Sequence, residues 1–213
     1  MRLTSPSLPI GAYSYSQGLE FAIASGWVYD QSSAMEWIQG LLEYSLMYVD
    51  LPILERLHCA WQNNQRDKVA YWNDFLLASR DSCELREEDL QLGKALARLL
   101  TDLELHGVGK FQQEPLSFLT VYSFGAVRWE ITINDAAHGL LWMWGENLVL
   151  GAMKLVPLGQ TAGQKILSRF IDIIPAVVAR GLALDDEEIG FTAPGQGIAS
   201  ALHETQYVRL FRS

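Results

Sequence analysis

Four histidines, two cysteines and one acidic run have the strongest claim on chemistry in this chain. His58, His106, His138 and His203 carry imidazoles that could bind a metal or pass a proton, and Cys59 and Cys83 carry thiols. Protein metal sites draw their ligands from short fixed spacings such as His-Glu-x-x-His or Cys-x-x-Cys, and neither occurs. His58 and Cys59 are adjacent, and adjacent residues on a helix do not face the same way. His58 and His138 therefore read as satisfied side chains in or beside the core. Gly109-Lys110 forms a Gly-Lys step, but a phosphate-cradling loop needs glycine five residues earlier and Ser or Thr after the lysine. Glu104 and Phe111 stand there instead. Gly195 and Gly197 lack the third glycine of a dinucleotide fingerprint, and no G-x-S-x-G nucleophile elbow is present. The run Glu84, Glu87, Glu88, Asp89 suits the positive end of a helix dipole and reads as a solvated helix start. Proton-transfer work would need burial, which a charge run resists. The chain thus offers no catalytic set, no metal ligands and no cofactor cradle, and the reading is of a protein that is not an enzyme.

The elements that would position these residues are helical almost throughout. With 213 residues, 49% of them hydrophobic and 7 tryptophans, the chain can bury a substantial core. A net charge of −9 disfavours a nucleic-acid partner, which needs clustered Lys and Arg, and favours basic protein partners. The two cysteines show no paired spacing and read as reduced thiols of a cytoplasmic protein, and no secretory signal opens the chain. The most apolar stretch, Ala136 to Leu158, is interrupted by His138, Glu146, Asn147 and Lys154, so it reads as a buried core helix and not a membrane span. Ser14 or Ser16 could cap a first helix running toward Gly26, and Ser33 and Glu36 have capping-box spacing. Apolar stripes follow at Ile38–Val49, Leu54–Trp61, Trp72–Leu76 and Leu85–Leu103. Asn63-Asn64 marks a turn and His106 to Pro115 a loop. Helices resume near Ser117, Asn134 and Thr161, and Pro175 is expected to kink or divide the last long one. The fold class is all-α: a single helical bundle over residues 1–183, with a partly irregular tail over 184–213 that holds a short helix around Ile198 to His203.

Three features suggest surfaces. Tyr13, Ser14, Tyr15 and Ser16 follow the extended, proline-bearing stretch Pro6–Pro9 and the turn at Gly11. They read either as helix capping with ring packing or as a contact surface. In the tail, Tyr207, Leu210 and Phe211 alternate with Arg209 and Arg212 ahead of Ser213. This segment either docks on its own body or grips the carboxylates of a partner. Trp27, Trp37, Trp142 and Trp144 serve a core or a dimer interface.

Four blocks, SPSLPIGAYSYSQGLE (Ser5–Glu20), LASRDSCELREEDLQLGKAL (Leu77–Leu96), KLVPLGQ (Lys154–Gln160) and HETQYVRLFRS (His203–Ser213), resemble the UreF family of urease accessory proteins, in the family's order and over nearly the whole chain. The resemblance implies an all-α, non-catalytic, cytoplasmic scaffold or chaperone that forms a homodimer. It also implies binding to the UreD/UreH-type accessory protein and recruitment of the UreG GTPase, so that nickel is inserted into apo-urease. Tyr13, Ser14, Tyr15 and Ser16 lie in the N-terminal motif, implied to face the GTPase. Arg209, Leu210, Phe211, Arg212 and Ser213 lie in the closing motif, implied to order against the UreD-type partner, and His203, Glu204 and Tyr207, in the same block, are expected to be partner-binding as well. Pro157, Gly159 and Gln160 are expected to fix a helix-to-helix turn. The chain departs from the closing motif at Val208, where the family usually has Ser. The alternative is a nickel-binding carrier acting directly through its His and Cys residues.

Overall fold

Apolar residues at helical spacing, broken by Gly, Asn and Pro, give a chain of helices packed on one another. The computed structural model of the protein describes residues 2–5, 8–105, 107 and 115–213, and among these no strand forms, as the sequence indicates. Short 3-10 turns at Arg2–Thr4 and Ala12–Ser14 precede α1 (Leu19–Ala24) and α2 (Gln31–Leu41). A π-helical turn, Leu42–Leu46, leads on toward α3 (Asp50–Gln62) and α4 (Arg66–Ala78). Then come α5 (Cys83–Asp102), α6 (Phe118–Arg128), α7 (Ile133–Leu155), α8 (Gln160–Gly181) and α9 (Pro194–His203). The loop expected over His106 to Pro115, with Gly109 and Lys110, falls almost wholly outside the described residues, as does Pro6.

Local signals account for most boundaries. Ser82, Ser117 and Thr132 cap α5, α6 and α7 by accepting from the backbone N–H three residues on. Pro52 occupies the first turn of α3, where its missing N–H costs nothing. Asn64 takes φ 54° at the turn after α3, and Gly26 takes φ 75° just past α1. Pro157 and Gly159 fall in the turn between α7 and α8, and Gln160 opens α8. Three expectations are corrected. Asp30, not Ser33, caps α2; Ser33 sits at the third helical position and closes the box from inside. The first helix begins at Leu19 with Gly18 at its N-cap position; Ser14 does not cap it, whereas the Ser16 hydroxyl accepts from the Glu20 N–H at 3.3 Å and satisfies a first-turn donor. Pro175 does not divide the last long helix: α8 continues through it, its inner face anchored by Phe170, Ile174, Val177 and Val178, and tertiary packing outweighs the lost hydrogen bond.

Helix α7 is the central rod, touching α1, α2, α3, α6 and α8. Helices α3 and α4 pack as one pair and α5 and α6 as another, with α3 also on α6 and α9 on α1 and α5. Gly93 permits the close approach of α5 to the start of α6, since a Cβ there would strike the Leu116 carbonyl. The expected solvated acids include a correction: Asp89 is buried, and so is Glu88. Arg80, in the turn before α5, bonds Asp50 Oδ1 at 2.7 Å and Asp89 Oδ2 at 2.8 Å. Asp89 Oδ1 accepts from the Phe118 N–H at 2.7 Å. One guanidinium therefore joins the starts of α3 and α6 to α5. Burial alone would pull the Arg80 pKa down, but Asp50 and Asp89 outweigh it and hold the group firmly charged. Burial pushes the Asp89 carboxyl upward in spite of that cation. Arg80→Ala leaves two buried carboxylates unpaired and is expected to cost about 3–5 kcal/mol in urea unfolding. A loss below about 1 kcal/mol would show that the two carboxylates do not depend on the cation.

Candidate functional site

The two ends of the chain, read separately in the sequence, meet in space. Gly11 (φ 79°) turns the chain into the Ala12–Ser14 turn, and Gly18 (φ 82°) turns it again into α1. Gly18 is also pressed against α9: a Cβ there would lie 3.0 Å from the Ser200 backbone nitrogen. Between these glycines, Tyr13 is 67% exposed, Ser14 and Tyr15 are half-buried and Ser16 is fully buried. Ser16 donates through its backbone N–H to the Ser213 main-chain oxygen at 2.6 Å, and its hydroxyl donates to the same oxygen. The Arg212 N–H donates to the Ser14 carbonyl at 2.8 Å.

Glu20, on α1, is the chief anchor. Its Oε1 accepts from the Leu210 N–H at 2.7 Å, and its Oε2 accepts from the Phe211 N–H at 2.9 Å. Glu20 Oε2 also lies 3.1 Å from His203 Nε2, while His203 Nδ1 lies 2.8 Å from Glu84 Oε2. Glu84 Oε1 accepts from Arg209 Nη1 at 2.8 Å. One turn further along α5, Glu88 accepts from the Ser213 hydroxyl at 2.9 Å and from Gln17 Nε2 at 2.7 Å. Gln17 Oε1 in turn accepts from the Trp144 indole N–H at 2.7 Å, which carries the network to α7. Arg80, Asp50, Asp89, Gln17 and Glu88 all border a cavity of about 110 Å³ between these elements.

The structure thus sorts the sequence-derived residues. His203, Phe211, Ser213 and Ser16 are buried within this chain, whereas Tyr13, Glu204, Tyr207, Arg209, Leu210 and Arg212 are exposed. The lead-in from residue 184 is tied down as well: Arg56 donates to the Leu184 carbonyl at 2.6 Å and to Asp186 at 2.9 Å. Trp142 and Trp144 are half-buried against the core, as is Trp37, while Trp27 is 44% exposed. His58 Nε2 lies 3.0 Å from the Ile131 carbonyl and His138 Nδ1 2.8 Å from the Asn134 carbonyl. Cys59 and Cys83 are free and exposed. Among the described residues no group of three His, Cys, Asp or Glu could hold a metal ion, and no helix is long and apolar enough to cross a membrane.

Sequence reading did not find Glu20, Gln17, Glu84 or Glu88 as anchors. A signal was present: Glu88 and Asp89 fall between Leu85 and Leu92, on the buried stripe of α5, and Glu84 and Glu88 are one turn apart on one face.

A model of the UreF family matches residues 28–171. The chain belongs to the UreF family of urease accessory proteins. It is 49% identical to the urease accessory protein UreF of Alkalilimnicola ehrlichii, an alignment covering 100% of this chain and 93% of the relative. It is 47% identical to that of Teredinibacter turnerae and 43% identical to that of Hahella chejuensis, each alignment covering 100% of this chain and 96% of the relative. The chain is therefore an accessory protein of urease maturation, in the family that the resemblance indicated.

Burial pushes the Glu88 carboxyl up to about 7, with Asp89 adding in the same direction and Gln17 and Ser213 opposing. A carboxyl raised in the fold contributes stability that is present below its ordinary range, declines as pH rises and is gone above about pH 7. Glu88→Gln keeps the shape and removes the titration. In urea unfolding its stability relative to the parent is expected to rise between pH 5 and pH 8, by on the order of 2–3 kcal/mol. A difference that stays flat with pH would show Glu88 ionised throughout.

Proposed function

We propose that this chain is a non-catalytic scaffold of urease maturation: a cytoplasmic homodimer that binds the UreD/UreH-type accessory protein and recruits the UreG GTPase, so that nickel passes into apo-urease. The observation that carries this reading is the composite surface at the joined ends. The backbone of the last residues is fixed by Glu20, Ser14 and Ser16, yet Tyr207 is fully exposed and Val208 and Leu210 are 73% and 67% exposed. Large apolar side chains held out on an ordered backbone give contact area at little further entropy cost, which is how interface anchors work. Tyr13 projects from the N-terminal turn whose Ser14 carbonyl holds Arg212. On this reading Tyr13, Ser14, Tyr15 and Ser16 serve the GTPase side, with Ser16 supporting from beneath. Tyr207, Arg209, Leu210 and Arg212 serve the UreD-type side, with His203, Phe211 and Ser213 holding them in place and Glu204 at the edge. In a dimer each surface occurs twice, so two GTPase subunits are brought to one symmetric assembly.

The carrier alternative draws on His58 and His203. Both are already engaged, His58 by a backbone carbonyl and His203 by Glu20 and Glu84. No observation favours that reading.

Copurification from cells expressing the urease operon tests the scaffold. Tyr13→Ala and Leu210→Ala, both at exposed positions, are expected to leave the thermal melt within about 2 °C of the parent. Tyr13→Ala is expected to lose UreG, and Leu210→Ala the UreD-type partner, by tenfold or more. Full retention of both partners by both variants would contradict the assignment.

A further inference from the structure

The closing segment is held the way a ligand is held. Residues 207–213 form neither helix nor strand. Their burial alternates as in an extended peptide: Leu210 and Arg212 face out, and Phe211 and Ser213 face in. Their backbone bonds run to the body of the protein: Leu210 and Phe211 N–H to Glu20, Arg212 N–H to Ser14, and the Ser213 oxygen to Ser16. This is recognition of a main chain by fixed acceptors and donors. Side-chain selection sits on top of it. Glu84 takes Arg209, Glu88 takes the Ser213 hydroxyl, and the buried Phe211 ring has its tip at Gly151 and Lys154 Nζ 5.6 Å from its centroid. One charge pair, Arg209 on Glu84, joins the segment to the cleft. Tyr207 is fully exposed and Val208 73% exposed, so the side chains that lead from α9 into the segment bury little surface.

We propose that the cleft formed by Ser14, Ser16, Glu20, Glu84 and Glu88 is a peptide-binding site for an extended Arg-x-Phe-x-Ser segment, filled in this chain by its own residues 209–213 and open to the same segment supplied in trans. This does not rest on the scaffold reading. It concerns the tail as an exchangeable ligand, whatever the exposed faces contact.

The test uses the full chain and a fluorescein-labelled peptide of sequence YVRLFRS. The tethered tail competes in the parent, so peptide anisotropy should report weak binding. In full-length Phe211→Ala, whose own tail is weakened, the peptide should bind at least about tenfold more tightly. Adding Glu20→Gln to that variant should remove the gain, and a peptide with alanine for its phenylalanine should not compete. Hydrogen exchange on the unaltered chain gives a second readout. The Leu210, Phe211 and Arg212 amides should exchange together through a local opening, at least about tenfold faster than the amides of α3. Equal peptide affinity for parent and Phe211→Ala would overturn the proposal. So would tail amides that exchange only with global unfolding, a result that needs no variant to fold.

Discussion

The structure at the joined ends depends on one buried carboxylate. Glu20 is 7% exposed and lies against two backbone N–H groups and one imidazole nitrogen, all from the last 11 residues of the sequence. A carboxylate cannot be taken out of water without such partners, and charge-assisted hydrogen bonds are the strong kind. The dependence runs both ways. Residues 207–213 form no helix or strand and donate two of their backbone bonds to Glu20, while Glu20 takes its two N–H partners from them and its imidazole partner from α9. Arg80 plays the matching part inside the bundle, where it joins the starts of α3 and α6 to α5 through Asp50 and Asp89.

These two polar centres are not independent. Glu88 and Asp89 are adjacent on α5, one turned toward the tail and one toward Arg80, and both border the same cavity. From Glu88 the contacts pass through Gln17 to Trp144 on the central helix α7. The position of the tail is therefore connected to the middle of the bundle by direct hydrogen bonds, without an intervening mobile loop. This geometry ties the backbone of Leu210 to Ser213 to the core beside the turn that carries Tyr13.

The helical architecture was legible because its causes are local. Capping by Ser82 and Ser117, the turn at Asn64, Pro52 in a first turn, and the apolar stripes of α5 and α8 all act within a few residues. Errors arose where a distant segment decided. Pro175 ends no helix because the packed face of α8 holds the rod together. The acids of α5 looked solvated because the groups that cover them, Ser213, Phe118 and Arg209, lie between 29 and 125 residues away in sequence. The stretch expected to be partly irregular holds Gly190, Pro194, Gly195 and Gly197. Of these, Pro194, Gly195 and Gly197 belong to α9, and Gly197 lets that helix sit against Asp81. Exposed candidates such as Tyr13 and Tyr207 were visible in the sequence as residue types, but the meeting of the segments around Ser14–Ser16 and Arg212–Ser213 was not.

The central claim is that Glu20 and the tail form one energetic unit. A double-mutant cycle in urea unfolding tests it most directly, comparing the parent, Glu20→Gln, a chain ending at Thr205, and the two combined. The account predicts strong non-additivity: once the tail is gone, Glu20→Gln should cost about 1–3 kcal/mol less than in the intact chain. Additive effects, within about 0.5 kcal/mol, would contradict it and return the tail to the status of an independent appendage.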